Sequence, residues 1–339
     1  MKMNLTGCLL ASVTLAASLL AFAASPAGPA SGQNGPLPLV ITTFVETPEE
    51  IVWAGVLVES LRTFGGRLKD APIWVYASEE FRAAESASLA RLASLGADVR
   101  IGRADDRAIW YPLARKVFAA AQAEAEAAGK VGILARLDPD TIFLDEPEEF
   151  ILPGGKDLGY RPVFHRTISP LYDEPLDAYW ARAYELMGIQ ASEVFPVVTP
   201  ADGDTIRAYF QAGCVVVRPE RGTLRKWEAM LSLLAADPEI KEICGTDPRK
   251  RLFTFQVALA GAILKGLPRS ALYAFSDRIN YPIFFKELFG AKRDFHDLSG
   301  AVTVRYEQLF ANPPPDWDKK LTGPADKVAW IKERFARQD

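Results

Sequence analysis

The chain has 339 residues, of which 49% are hydrophobic and 24% are charged, and its net charge is −4. This length allows a large core in one or two domains, and the composition is that of an average globular protein. The acidic balance excludes the basic footprint that nucleic-acid-binding proteins usually carry, so we expect no nucleic-acid partner.

The first 24 residues have the features of a signal peptide. Lys2 precedes a long stretch of apolar and small residues, and Ala23 and Ala24 provide the small side chains that a signal peptidase requires. A signal anchor is the alternative, because about 20 apolar residues can also span a bilayer. Both predict an exported protein, periplasmic or secreted, with membrane contact only through this segment if it stays uncleaved. Residues 25–36, rich in Pro, Gly, Ala and Ser, are predicted to be a linker.

Strand and helix patterns alternate through the first part of the chain. An apolar run predicts a strand over 37–45, and a helix follows in which Thr47 caps, Pro48 comes first and Glu50 completes a capping box. The further predicted elements are strands over 73–76, 99–101 and 131–137, and helices over 79–95 and 107–128. Such alternation predicts a mostly parallel central sheet with helices on both faces.

The second half of the chain has a less regular pattern. The predicted elements are strands over 159–165 and 210–219, helices over 173–187, 224–234 and 252–263, and a charged terminal helix that docks as a tail. Cys214 and Cys244 could pair, but separate buried thiols are the favoured interpretation.

Asp138 and Asp140 stand directly after the predicted strand 131–137, with Pro139 between them. In open α/β sheets, ligands lie outside the carboxyl ends of the strands. Two carboxylates this close repel unless a cation or a hydrogen-bond network holds them, and hard divalent cations suit such a pair. An Asp-Pro-Asp turn without further function is the alternative.

Four stretches of the chain resemble motifs of a known protein family, and they occur in the order that the family has. They are the strand 40–45 with the helix 56–61, the aspartate motif 136–144, the strand 209–217 and the helix 255–259. Together they resemble a GT-A type nucleotide-diphospho-sugar glycosyltransferase of the family-8-like branch, with bacterial relatives. The resemblance implies a single GT-A-like, Rossmann-like α/β domain over 37–312, with 313–339 as the helical tail.

The resemblance also implies a cofactor and two substrates. Asp138 and Asp140 match the motif that holds a divalent metal, Mn²⁺ or Mg²⁺, on the diphosphate of a nucleotide-sugar donor. The acceptor would be a carbohydrate or glycoconjugate. His296 lies in the part of the chain where the family often supplies a third metal ligand, although its surrounding motif is missing. A histidine packed under a loop is the alternative.

Four residues match the nucleotide side of the family's site. Thr43 and Phe44 end the first strand at positions that face the base. Arg115 and Lys116 lie on the helix before the motif strand, where a cation often reaches the nucleotide. The alternative for these two cations is a solvated helix face.

Three further residues match the sugar and acceptor side. Gln211 and Gln256 would line it, although both could be satisfied buried amides. His165 could be an acceptor contact or a general base. The chain departs from the family in two places, since Gln211 stands where asparagine is preferred and Phe255 stands where an acid is preferred.

The sequence therefore predicts a metal-dependent glycosyltransferase that uses a nucleotide-diphosphate sugar. A non-catalytic nucleotide- or carbohydrate-binding protein on the same fold is the first alternative. An exported carboxylate hydrolase ranks last. Glycosidases place their carboxyl groups across a cleft, about 5 Å or more apart, whereas Asp138 and Asp140 come from one short turn.

Overall fold

A seven-stranded mixed sheet lies at the centre of the computed structural model, which describes residues 38–103, 110–286, 290–306 and 313–335. The predicted signal peptide and linker lie outside the described residues. All of these described residues belong to one compact unit. Within the described ranges, no helix combines the length and the apolar character that a membrane crossing requires.

The strands, numbered in chain order, follow the predicted alternation. They are β1 Val40–Phe44, β2 Ile73–Ala77, β3 Ala97–Ile101, β4 Leu134–Leu137, β5 Thr141–Phe143, β6 Leu158–Pro162, β7 Pro196–Val198, β8 Thr205–Arg207, β9 Phe210–Val217, β10 Leu272–Ala274, β11 Tyr281–Pro282 and β12 Thr303–Arg305. The helices are α1 Pro48–Phe64, α2 Glu79–Ala84, α3 Ser86–Ser94, α4 Ala114–Ala127, α5 Ala178–Met187, α6 Thr223–Ala236, α7 Pro238–Thr246, α8 Pro248–Gly266, α9 Trp317–Lys320 and α10 Ala325–Phe335.

The central sheet has the strand order β10-β6-β9-β4-β1-β2-β3. Strands β4, β1, β2 and β3 pair in parallel, as do β10 and β6, and β9 runs antiparallel between β4 and β6. The mostly parallel sheet confirms the predicted fold class. The one reversed strand is the feature that apolar patterning did not reveal, because a buried strand has the same pattern in either direction.

Apolar residues fill both faces of this sheet. Alternate residues of β1 point to opposite sides, so that Val40 joins one core cluster and Ile41 joins the other. The first cluster holds residues of α4, α6 and α8, and the second holds residues of α1 and α3. Helices therefore cover both faces, and the carboxyl ends of the parallel strands are left to form a site.

Two predicted helices differ from the observed ones. The helix predicted over 79–95 is divided at Glu85 into α2 and α3. The helix predicted from Arg107 begins only at Ala114, because Leu113 adopts a left-handed conformation with φ 65° and Trp110 to Pro112 form a turn. Residues 104–109 lie outside the described residues.

Two smaller predictions concern caps and thiols. Thr47 caps α1 by accepting from the amide of Glu50, as predicted, but the Glu50 carboxylate accepts from the amide of Glu46 rather than that of Thr47.

Cys214 and Cys244 are free and buried, which confirms the favoured interpretation that they are separate thiols.

A small sheet of order β11-β12-β5 lies beside the aspartate turn. Strand β12 pairs antiparallel with β5 and parallel with β11. Ile331 and Phe335 of α10 join the same apolar cluster as Ile142 and Val304, so the terminal helix docks on this sheet through its predicted apolar side.

Candidate active site

A cavity of about 400 Å³ opens at the carboxyl ends of β1 and β4. It brings together polar side chains from seven separate parts of the chain with a set of aromatic rings. The polar lining residues are Glu50, Lys116, Asp138, Asp140, His165, Thr167, Gln211, Gln256 and Arg305, and the aromatic ones are Trp53, Phe164, Phe253, Phe255, Phe285 and Tyr306.

Asp138 and Asp140 lie in the turn between β4 and β5. The Asp138 amide donates to the carbonyl of Gly213 at 2.9 Å, and the Thr141 hydroxyl donates to the carbonyl of Asp138 at 2.9 Å. Their carboxylates are nevertheless buried, with side chains only 8% and 2% exposed. The stretch is therefore both a turn and a pair of buried charges, and such charges require partners.

Three cationic side chains surround this pair. Arg136 Nη2 and Lys116 Nζ lie 2.7 Å and 3.1 Å from Asp138 Oδ1. Arg305 reaches both carboxylates, with Nε 3.1 Å from Asp140 Oδ2 and Nη2 3.5 Å from Asp138 Oδ2. Arg136 lies in the sheet, where it also donates to the carbonyl of Ala212, whereas Lys116 and Arg305 face the cavity.

The ionisation of Asp138 follows from these contacts. Burial by itself would raise the pKa of this carboxyl group. The positive charges of Arg136, Lys116 and Arg305 outweigh burial and hold the pKa of Asp138 well below its usual range. The carboxylate is therefore ionised throughout the physiological pH range.

The predicted metal set is Asp138, Asp140 and His296. His296 is not among the cavity-lining residues, and its backbone carbonyl accepts from the amide of Thr322. Within the described parts of the chain, no three His, Cys, Asp or Glu side chains form a group that could hold a metal ion. Because guanidinium and ammonium groups already face both carboxylates, this donor set does not fit a divalent cation.

Three predicted sugar-side residues do meet at the cavity. Gln211 comes from β9, Gln256 comes from α8, and His165 follows β6. Burial and, more weakly, Arg249 lower the pKa of His165, although Asp202 opposes them. The imidazole is therefore neutral at pH 7 and can accept a proton.

The nucleotide-side residues divide into two groups. Lys116 lines the cavity, and its ammonium lies 5.3 Å from the ring centre of Phe255, the residue at the family's acid position. Thr43, Phe44 and Arg115 are not among the lining residues. Thr43 is buried at 2% exposed, and its hydroxyl has no hydrogen-bond partner within the described ranges.

Sequence reasoning missed Glu50, Arg136 and Arg305 as site residues. Glu50 had a sufficient explanation as a helix cap, yet it lines the cavity, and burial raises its pKa to about 7 despite the hydrogen bond from the Glu46 amide. Arg136 did carry a signal, because an arginine two residues before an aspartate in an apolar strand shares its face. Arg305 carried no local signal, since its role depends on pairing with a distant strand.

Several solved structures and one family model are similar to this chain, whereas no curated protein matches it. The chain is similar to the galactosyltransferase LgtC in complex with donor and acceptor sugar analogs, with 16% identity and a TM-score of 0.43, covering 88% of this chain and 94% of LgtC. It is also similar to the apo form of mouse xyloside xylosyltransferase 1, with 11% identity and a TM-score of 0.41, covering 79% of this chain and 96% of that chain.

A third structure, the apo form of the bifunctional glycosyltransferase WbbM, has 14% identity and a TM-score of 0.45, covering 90% of this chain and 52% of WbbM. The family model described as the Rhodobacterales glycosyltransferase domain matches residues 41–265, which is more than half of the chain and includes both aspartates. This match confirms the resemblance found in the sequence. The chain belongs to the Rhodobacterales glycosyltransferase domain family.

Proposed function

We propose that this glycosyltransferase takes its sugar from a nucleotide-diphosphate donor whose diphosphate lies against Lys116 and Arg305. The observation that carries the proposal is that both cations line one cavity beside two buried aspartates. Arginine presents a planar fork of N–H donors that matches pairs of phosphate oxygens, and lysine adds a compact charge with three donors. The diphosphate is the strongly anionic part of such a donor, so these side chains would bind it.

The same cations would assist sugar transfer. When the bond between the anomeric carbon and the donor phosphate oxygen breaks, its electron pair stays on the departing nucleoside diphosphate. Lys116 and Arg305, held in place by Asp138 and Asp140, would stabilise that negative charge without having to reorganise.

The acceptor hydroxyl oxygen would form the new bond to the anomeric carbon and lose its proton. The neutral imidazole of His165 faces the same cavity and would take that proton. Gln211 and Gln256 can donate and accept hydrogen bonds with sugar hydroxyls. The rings of Trp53 and Phe285 offer apolar faces on which a sugar or its aglycone would pack.

Several finer predictions from the resemblance remain proposals. Contact of Thr43 and Phe44 with the nucleoside stays a prediction, since both are buried and neither is among the residues that line the cavity. The resemblance also predicted dependence on Mn²⁺ or Mg²⁺, with Asp138 and Asp140 as ligands. The cationic side chains around the aspartates do not fit such an ion, so the proposed transfer involves no metal. Export through residues 1–24 also stays a prediction.

A calorimetric titration tests the donor proposal. The full chain is titrated with uridine and guanosine diphosphates, with and without Mn²⁺, and donor-sugar hydrolysis is followed in parallel. We expect one nucleotide to bind, and Lys116→Met to weaken that binding by about ten- to hundredfold, since one charge-assisted contact is worth about 1.5–3 kcal/mol.

The matched control is Lys226→Met. In the wild type, the Lys226 ammonium reaches the Lys265 carbonyl on the surface, away from the cavity. This variant should bind nucleotide as the wild type does. The donor proposal fails if neither nucleotide binds under either condition, or if Lys116→Met binds as tightly as the control. Binding without hydrolysis or transfer across a panel of donors would instead favour the non-catalytic alternative.

A further inference from the structure

The guanidinium of Arg305 lies where a cation shared by Asp138 and Asp140 would have to lie. Its Nε is 3.1 Å from Asp140 Oδ2, and its Nη2 is 3.5 Å from Asp138 Oδ2. One positively charged group therefore bridges the two carboxylates of the turn. It comes from outside residues 41–265, the part of the chain that the family model matches.

Backbone pairing fixes the position of Arg305. In β12, Arg305 pairs with Thr141 of β5 on one side and with Pro282 of β11 on the other. The next amide, that of Tyr306, donates to the carbonyl of Asp140 at 3.3 Å. The side chain thus begins beside the aspartate turn on a strand held from both edges, rather than on a loose loop.

Gly213 on β9 makes room for this contact. A Cβ atom at this position would lie 2.8 Å from Asp138 Oδ2 and 3.1 Å from Arg305 Nη1. Such distances are shorter than van der Waals contact allows, so a side chain here would push the carboxylate and the guanidinium out of place. The absence of a side chain at residue 213 is part of how the guanidinium fits against Asp138.

The charges around the turn also oppose a divalent ion. Among the described residues, Arg136, Lys116 and Arg305 place three positive charges against the two carboxylates, so the negative charge that a divalent ion would bind is already offset. A divalent ion at the pair would have to displace Arg305 and would then lie beside two further cations, where Coulomb repulsion opposes it.

We infer that Arg305 takes the place of the divalent cation and that this glycosyltransferase binds the diphosphate of its donor without metal. The inference rests on the proposed nucleotide donor. Asp138 and Asp140 are then not metal ligands but anchors that hold a guanidinium and an ammonium toward the cavity. The guanidinium of Arg305 carries five N–H donors and would donate to the phosphate oxygens while it bridges the carboxylates, and Lys116 would add the second charge.

The test compares nucleotide binding with and without metal. The full chain is stripped with excess EDTA and titrated calorimetrically with uridine and guanosine diphosphates, and the titration is repeated with Mn²⁺ in place of EDTA. Mn²⁺ binding is followed separately by the electron paramagnetic resonance signal of the free ion. We expect the same nucleotide affinity in both titrations and no stoichiometric loss of the free Mn²⁺ signal.

Two substitutions at Arg305 complete the test. Arg305→Ala should weaken nucleotide binding in EDTA by about ten- to hundredfold, and Arg305→Lys by less, because lysine keeps the charge and loses the fork. The control Arg67→Ala, at an exposed arginine paired with Glu146, should bind as the wild type does. Circular dichroism confirms that each variant is folded, and the wild-type titrations remain decisive if Arg305→Ala does not fold.

The outcomes separate the two proposals. Nucleotide binding that requires Mn²⁺ overturns the inference about Arg305 and leaves the nucleotide donor intact. Metal-free binding that Arg305→Ala and Arg305→Lys leave unchanged overturns the role of Arg305 as well. Absence of nucleotide binding under both conditions overturns the donor proposal itself.

Discussion

Two buried carboxylate sites in this protein differ in their main partners. Glu124, fully buried on α4, accepts from the backbone amides of Leu224 and Arg225 at 3.0 Å and 2.9 Å and so caps the N-terminus of α6, and the Arg225 Nε adds one side-chain contact at 3.2 Å. Asp138 and Asp140, on the cavity wall, are instead held by charged side chains.

The difference appears in the pKa of each site. Burial raises the pKa of Glu124, and the hydrogen bonds from Arg225 and Leu224 only partly offset it. The three cations around Asp138 outweigh burial and lower its pKa. A buried carboxylate fixed by backbone donors serves the architecture, because its partners cannot turn elsewhere. A carboxylate held by side-chain cations at a cavity aims those cations at a ligand.

The largest expected effect of any change here is on folding. Glu124→Ala should lower the free energy of unfolding by about 3–5 kcal/mol, because it removes a buried charge from its partners and leaves the start of α6 uncapped. Urea denaturation followed by circular dichroism measures this. The control Glu242→Ala, at an exposed position of α7, should change stability by less than about 0.5 kcal/mol. Equal losses in both variants would remove the distinction between the two sites.

Asp138→Asn should affect both folding and activity. The amide keeps the shape but leaves the buried Arg136 guanidinium without its counter-charge, so we expect a loss of about 1.5–3 kcal/mol in unfolding free energy. We also expect turnover to fall by more than about tenfold, or about 1.4 kcal/mol of transition-state stabilisation, because Lys116 loses its anchor. Donor-hydrolysis kinetics on the folded protein measure this. Normal turnover in Asp138→Asn would show that the aspartate pair, like Glu124, is purely structural.

Gly213→Ala should have a smaller effect that is concentrated at the site. Overpacking against Asp138 and Arg305 should cost about 1–2 kcal/mol of stability and weaken nucleotide binding. Gly245→Ala in α7 is the control, since a Cβ there meets nothing within 4 Å and alanine favours the helix. Thermal melts and calorimetry compare the pair. Unchanged nucleotide affinity in Gly213→Ala would show that the guanidinium does not depend on this space.

The smallest effect concerns pH and Glu50. In the unfolded chain this carboxyl group ionises near the ordinary glutamate pKa of 4.5, whereas in the folded chain its pKa is about 7. The unfolded state therefore loses the proton first, so stability should fall as the pH rises from about 4.5 to about 7 and then level off. Glu50 borders the cavity, so solvent screening keeps this contribution small.

The variant Glu50→Gln should flatten that dependence, since its amide does not titrate. Urea denaturation of both proteins at about pH 5 and about pH 8 measures the difference. The same pH dependence in both proteins would assign it to other groups.

The sequence predicted those features whose causes are local or follow from the order of elements. The apolar runs and the cap at Thr47 located β1 and α1. The strand pattern placed Asp138 at the carboxyl edge of the sheet, the family resemblance predicted Lys116 and Gln211 beside it, and the three residues line one cavity. The direction of β9 was not predictable, because a buried strand has no marker of direction.

The charge partners were not predictable either. Arg305 is 165 positions from Asp140 and lies in a three-residue strand. Glu124 lies two residues before Glu126 in an alanine-rich helix, and the amides it caps are 100 and 101 positions away. His296 was predicted as a third metal ligand from its region of the chain alone. The residue from this region that contacts the aspartates is instead Arg305. Pairing between distant strands decides such contacts, and no local pattern records it.

The late position of Arg305 has a consequence for the newly made protein. A ribosome releases the chain from its N-terminus, so both aspartates emerge well before β12 does. Until residue 305 is available, the nascent chain carries this pair without its bridging guanidinium. This end of the cavity can therefore be completed only once β12 has been made, after both aspartates have emerged.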